Sequence, residues 1–259
     1  MKAKKISKAI FQTMVEKAGD GIYVYQDQRF FYANPAFERL LGYPQSTLMN
    51  MGLKDVVHPD TAETMEERYR RRISGESEPD RYDVVFITST KQERIISLSP
   101  SVIILGGRPA TLNIVRDITE RKRMLEHLES SNEFLTGLIE NSSDAIIATD
   151  FYGNPLIFNK AAEDITGYTA EEMISKKISM DEFMGKGERR RIISILNRGS
   201  AEKPYRLVAE ETSLYIKDGT LIPISLSASY VYHASKPIAG ISIFRDLRPI
   251  KEVQDRLKA

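Results

Sequence analysis

At 259 residues, with 41% hydrophobic and 28% charged residues, the chain has the composition of a soluble globular protein and room for two domains of ordinary size. A formal net charge of +1 gives no global attraction to nucleic acid or anionic lipid, and no apolar run approaches the ~20 residues of a membrane-spanning helix, so neither is expected as a partner. The absence of cysteine excludes disulfides, thiolate metal ligands and thiol nucleophiles, and the three histidines, His58, His127 and His233, lie too far apart in sequence to suggest a metal cluster.

The basic residues 1–5 are followed by Glu16 and Asp20 with no long apolar block, so a cytoplasmic location is expected. Over 4–18, Ile6, Ile10, Phe11, Met14 and Val15 recur at helical spacing. Two aromatic and β-branched runs, 21–25 and 30–33, then predict paired strands around a short polar turn. Asn34 stands where the next helix needs an N-cap, and that helix ends at Gly42-Tyr43, glycine suiting the left-handed residue after a helix. A longer helical pattern over 60–75 closes at Gly75. The period then falls to two: Ile96, Leu98, Val102 and Ile104 alternate with Ser97, Ser99, Ser101 and Ile103, which predicts a strand with one buried face. Leu105-Gly106-Gly107-Arg108 supplies the following hairpin turn.

Asp117 and Glu120 have the spacing of a capping box, with Asp in place of Ser or Thr, and predict a new helix directly after a strand. That helix carries Ile118, Leu125, Asn132 and Ile139 at seven-residue intervals, with Leu128 and Leu135 three residues after the middle pair. Such a pattern predicts a two-stranded coiled coil, in which a lone Asn fixes register and dimer state. A linker helix packed on its own domain would read the same way.

The whole order then returns. Asn159 repeats Asn34 at an offset of 125 (159 − 34), as does Gly167-Tyr168 for Gly42-Tyr43. The offset grows to 128 for Ser225-x-Ser227-x-Ser229 (225 − 97) and to 129 for Arg245-Asp246 (245 − 116), as small turn insertions between two copies would produce. A period this long marks a duplicated domain, since solenoid units repeat every ~20–50 residues. The second copy predicts strands at 145–149 and 156–158, a helical stretch over 181–199 closed by Gly199, and a strand in which Ile222, Ile224, Leu226 and Ala228 face one way, entered through the turn Lys217-Asp218-Gly219-Thr220. Pro249 suits a first helical turn, where the N–H it lacks would be unpaired anyway, and Ile250, Val253 and Leu257 continue that helix. Two strands, three or four short helices and three strands predict an α+β domain, a five-stranded antiparallel sheet with helices on one face.

This order, with the Asn-containing first helix, the Gly-Tyr pair, His58-Pro59-Asp60 and the strand ending Asp117-Ile118-Thr119-Glu120-Arg121-Lys122, resembles the PAS family of sensory modules over about 18–122 and again over 140–248. The second copy departs by ending Asp246-Leu247-Arg248-Pro249. On this resemblance the chain comprises an N-terminal amphipathic helix (1–19), a first PAS domain (20–122), a coiled-coil-like linker (123–140), a second PAS domain (141–248) and the start of an exit helix (249–259). The resemblance implies a pocket for a small organic ligand, with Tyr32, Ile96, Leu98, Phe158, Ile224 and Leu226 as wall candidates that plain core would explain equally. It implies signal transmission at Asp117, Thr119, Glu120 and Asp246, and a homodimer seam of Ile118, Leu125, Leu128, Asn132, Leu135 and Ile139. Without cysteine, a flavin-cysteinyl adduct and cysteine-linked chromophores are excluded. Haem is not expected, because the helices at 61–74 and 181–198 contain no His, and His58 reads as a loop or capping residue.

The function implied is a non-enzymatic tandem PAS sensor or adaptor in two-component signalling or transcriptional regulation, acting on a downstream signalling protein or effector domain. The alternatives are the input fragment of a larger histidine kinase or diguanylate cyclase, and an interaction scaffold without ligand. His127 is followed by Leu128 where a kinase phospho-acceptor is usually followed by an acid, and Gly185-Lys186-Gly187 lacks the third glycine of a dinucleotide loop. Arg70-Arg71-Arg72 and Arg189-Arg190-Arg191 sit beside Glu66, Glu67 and Glu188, as solvated ion-paired helix faces do.

Overall fold

The computed structural model describes residues 8–175, 178, 183–184, 186–199, 202 and 204–258. Residues 4–7 of the first expected helix, residues 181, 182 and 185 of the second copy's helical stretch, and the ends of the chain at 1–7 and 259 lie outside the described residues.

Domain 1 is preceded by α1 (Lys8–Glu16) and runs β1 (Gly21–Gln26), β2 (Arg29–Ala33), α2 (Pro35–Leu41), α3 (Gln45–Leu48), a 3-10 turn at Leu53–Asp55, α4 (Pro59–Ile73), β3 (Tyr82–Ile87), β4 (Glu93–Leu105) and β5 (Arg108–Asp117). After α5 (Thr119–Glu140), domain 2 runs β6 (Ala145–Thr149), β7 (Pro155–Phe158), α6 (Lys160–Thr166), α7 (Ala170–Ser175), α8 (Lys186–Leu196), β8 (Arg206–Tyr215), β9 (Leu221–His233) and β10 (Lys236–Asp246), and α9 (Arg248–Lys258) follows. The two compact units divide at Glu129/Ser130, inside α5.

Each domain is α+β with one five-stranded antiparallel sheet, ordered β2-β1-β5-β4-β3 in the first and β7-β6-β10-β9-β8 in the second. The strand that enters each sheet first pairs with the one that leaves last, so both chain ends of a domain sit on adjacent interior strands, the last one central. Gly42 and Gly167 end α2 and α6 in the left-handed conformation, φ 75° and 77°, their N–H groups returning to Glu38 and Glu163 carbonyls.

Alternation places the core. Ile96 and Leu98 are buried on the inner face of sheet 1, against Tyr23, Tyr25, Phe30, Phe37 and Phe86; Ile222, Ile224, Leu226 and Ala228 are buried in sheet 2, with Ile147, Phe158 and Phe244. The expected alternation stops short at Val102 and Ile104, which are 48% and 72% exposed. Strand β3 pairs with β4 only as far as Leu98, and β1 pairs with β5 only as far as Thr111, so the end of β4–β5 runs on as a two-stranded ribbon. Hydrophobic periodicity identifies a strand's faces but not where its neighbours end.

Candidate functional site

Asn34 and Asn159 are fully buried and each does more than cap a helix. In domain 1 the Asn34 Oδ1 accepts from the N–H of Phe37 (2.9 Å) at the start of α2 and from Ile22 (2.8 Å) in β1. Its Nδ2 donates to the carbonyls of Val15 (3.0 Å) in α1 and Asp20 (3.1 Å). Asn159 makes the same four bonds in domain 2, to Ala162 (3.0 Å), Ile146 (2.8 Å), Asp144 (3.1 Å) and Ile139 (2.8 Å), the last being a carbonyl of the final turn of α5. One amide side chain thus ties the helix entering each domain to the first strand and the first inner helix.

A second link closes the same corner. Arg116, near the end of β5, meets Asp20 through two bonds of 3.0 and 2.6 Å, and Arg245 of β10 meets Asp144 at 2.7 and 2.9 Å. Its hydrogen bond from Arg116 holds the Asp20 carboxyl below the usual carboxylate range.

At the exits, a turn replaces the expected capping box. The Asp117 Oδ1 reaches the N–H (2.9 Å) and hydroxyl (2.5 Å) of Thr119 rather than the residue three on, and Glu120 is exposed on the first turn of α5. The Thr119 Oγ1 in turn accepts from Ile95 N (2.8 Å) of β4, so the start of α5 is stitched to its own sheet. In domain 2, Asp246 closes the same turn on Arg248 N (2.8 Å), and Pro249 lies in the first turn of α9. Arg248 stands where Thr119 stands in domain 1, and its Nε returns to Asp246 (2.8 Å).

Of the coiled-coil positions, Leu125, Leu128 and Leu135 are 46%, 66% and 54% exposed, Asn132 is exposed, and Ile118 and Ile139 are half-buried where α5 meets each domain. His58 caps α4, its Nδ1 accepting from Asp60 N (3.3 Å). The arginine runs are partly engaged: Arg71 pairs with Glu76 (3.0 Å) and Glu78 (3.1 Å), and Arg191 with Glu188 (2.8 Å) and Glu210.

The interiors differ. Domain 1 is filled by rings: Tyr25 lies 5.4 Å from Phe30 and 4.9 Å from Tyr69, centroid to centroid, and its hydroxyl donates to Glu66 (2.7 Å) while accepting from Leu53 N (3.2 Å). Burial pushes the Tyr25 phenol well above its ordinary range. A cavity of about 10 Å³ remains there, beside Leu98, Tyr23 and Asn113. Domain 2 has a cleft of about 80 Å³ between α8 and the sheet, bounded by Ile192, Leu196 and Arg189 above and Thr149, Gly240 and Ser242 below. Among the expected wall residues, Leu98 lines the small cavity of domain 1; Ile96, Phe158, Ile224 and Leu226 lie in close-packed core, and Tyr32 is half-buried on β2. The sequence reading missed the cleft residues, whose signal is a loss of side-chain volume from the first copy to the second at matched positions.

Family models give the same division of the chain: one described as "PAS fold" matches residues 9–118, and one described as "PAS domain" matches residues 143–249. The chain belongs to the PAS family, with two domains in tandem. PAS1 and PAS2 below are domains 1 and 2. Among curated proteins, the chain is 33% identical over 125 residues to the signal transduction histidine-protein kinase AtoS of Escherichia coli K12, covering 46% of this chain and 19% of that protein. It is 29% identical over 145 residues to the sensor histidine kinase TmoS of Ectopseudomonas mendocina, covering 54% and 14%. The chain therefore spans about a fifth or less of these two kinases. A solved structure, the PAS domain of an HTR-like protein from Haloarcula marismortui, is similar with 22% identity and a TM-score of 0.40, covering 48% of this chain and 98% of that one.

Proposed function

We propose that this chain is a non-enzymatic tandem PAS sensor that binds a small ligand or partner, dimerises through its helices, and passes a conformational bias along α5 and α9 to a downstream effector. The observation that carries this reading is the attachment of α5 at both ends by side-chain hydrogen bonds, Thr119 to β4 of PAS1 and Asn159 of PAS2 to the Ile139 carbonyl. A change in either domain that alters its clamp acts directly on the helix, and a ligand biases such an element by its difference in affinity for the two arrangements. The exposed apolar stripe of α5 and the apolar residues Ile250, Val253 and Leu257 of α9 support self-association. A second reading, the input portion of a larger histidine kinase, is supported by the similarity to AtoS and TmoS, and the same helices would then lead to the output domain.

Because the chain has no cysteine, one introduced cysteine reports a single contact. Leu257→Cys on α9 is expected to form a disulfide-linked dimer under mild oxidation. Adding Thr119→Val, which removes the bond to Ile95 in PAS1, is expected to change that yield several-fold. An unchanged yield would show that PAS1 and α9 are uncoupled and reject the transmission reading.

A further inference from the structure

The two domains are copies of one plan, so matched positions can be read off strand pairing. In PAS1 the Tyr25–Thr111 and Tyr23–Asn113 pairs join β1 to β5; the corresponding pairs joining β6 to β10 in PAS2 are Thr149–Gly240 and Ile147–Ser242. On the neighbouring strand, Phe30, paired with Tyr25, becomes Pro155, paired with Thr149. The residue whose N–H meets the clamp asparagine is Phe37 in PAS1 and Ala162 in PAS2. Four interior aromatic rings have thus been exchanged for Ile147, Thr149, Pro155 and Ala162. Part of the volume is restored lower in the sheet, where Phe158 replaces Ala33 and Phe244 replaces Val115. At the Thr149–Gly240 end the rings that return, Tyr230 and Phe151, lie in the lining without filling the space, and that is where the cleft lies.

We propose that the two domains divide their labour: PAS2 is receptive, taking a short-chain organic molecule with a single hydrogen-bonding end group into the cleft beneath α8, while PAS1 is plugged by its own Tyr25. The assignment rests on the sensor reading above and deepens it. Size follows from volume: about 80 Å³ is roughly half the cavity that admits benzene, which sets a limit near four or five non-hydrogen atoms. Polarity follows from the lining. Ile192, Leu196 and Met184 offer an apolar bed, and the Thr149 and Ser242 hydroxyls offer hydrogen bonds on the floor, with the charged Arg189 and Asp150 also in the lining. PAS1 has room for about one water at the matching level.

The test uses the whole chain, with isoleucine and leucine methyl groups labelled for NMR, titrated separately with 1-butanol and with propionate, each of five non-hydrogen atoms. Saturable shifts are expected at Ile192 and Leu196 and not at Leu53 and Leu98 of PAS1. Thr149→Tyr, which restores the PAS1 plug, is expected to weaken binding at least tenfold. Should that variant misfold, Gly240→Thr carries the same test, since a Cβ added at Gly240 would sit 3.5 Å from the Thr149 Oγ1, an ordinary contact. Tighter binding of propionate that is lost in Arg189→Gln supports the assignment with a carboxylate end group; equal binding of both probes supports it with a neutral one. No shift at Ile192 and Leu196 with either probe, or equal shifts in wild type and Gly240→Thr, would overturn it. Binding at PAS2 with unaltered Leu257→Cys cross-linking would instead reject transmission and leave this assignment standing.

Discussion

A single buried amide does unusual duty in each domain, and its removal is instructive because both of its ends are used. Asn159→Ala takes the side-chain acceptor from the N–H groups of Ile146 and Ala162, while the Ile139 and Asp144 carbonyls keep bonds from Ser142, at a cost of about 2–4 kcal/mol. Amide exchange at Ile146 and Ala162 is expected to accelerate, with Ile22 and Phe37 in PAS1 unaffected; unchanged protection at the first pair would show that the clamp contributes no local stability. The capping role of this residue was legible from its place before a helix. Its bonds back to the entering helix were not, because Val15 and Ile139 lie 19 and 20 residues away and nothing local marks them. Thr119 makes the same point: spacing favoured Glu120 as the partner of Asp117, whereas the hydroxyl two residues on satisfies the carboxylate and reaches the sheet as well.

Every residue of helix α5 from 120 to 136 is exposed, so its apolar stripe is uncovered among the described residues. Its last turns also repeat the apolar pattern of α1: Phe134, Leu135 and Leu138 correspond to Ile10, Phe11 and Met14, and all six are more than half exposed. Retention of exposed apolar side chains at matched places in both copies argues for use of that surface. If α5 pairs with a second copy, Asn132 sits in the seam, and Asn132→Ile is expected to tighten association while relaxing the preference for dimers. Light scattering with size separation checks this; strictly monomeric wild type and variant would reject the seam. Heptad spacing made the stripe visible in the sequence, but it could not say whether a sheet or a second helix lies against it.

The duplication made the architecture readable, since each copy's strand and turn signals vouch for the other's. What the comparison of sequences could not reach was how the two interiors had diverged. Tyr25 and Thr149 become comparable only once strand register is known, and the functional contrast between a filled and an open domain is a contrast between such pairs. The core residues were legible by periodicity, whereas the cleft is made of residues notable for being small.

The ribbon at the end of β4 and β5 has a bearing on how the chain behaves in crowded solution. On the side where β3 stops, no strand among the described residues pairs with residues 99–105 of β4, and that stretch carries no charge to repel a neighbour, only Pro100 to interrupt it. Ile104→Lys is expected to leave the fold unchanged and to raise the concentration at which turbidity sets in; an identical onset would show that this edge is harmless. Should the onset move, the rim of PAS1 is the place where the chain is most apt to recruit a foreign strand, and a single lysine there would act as its guard.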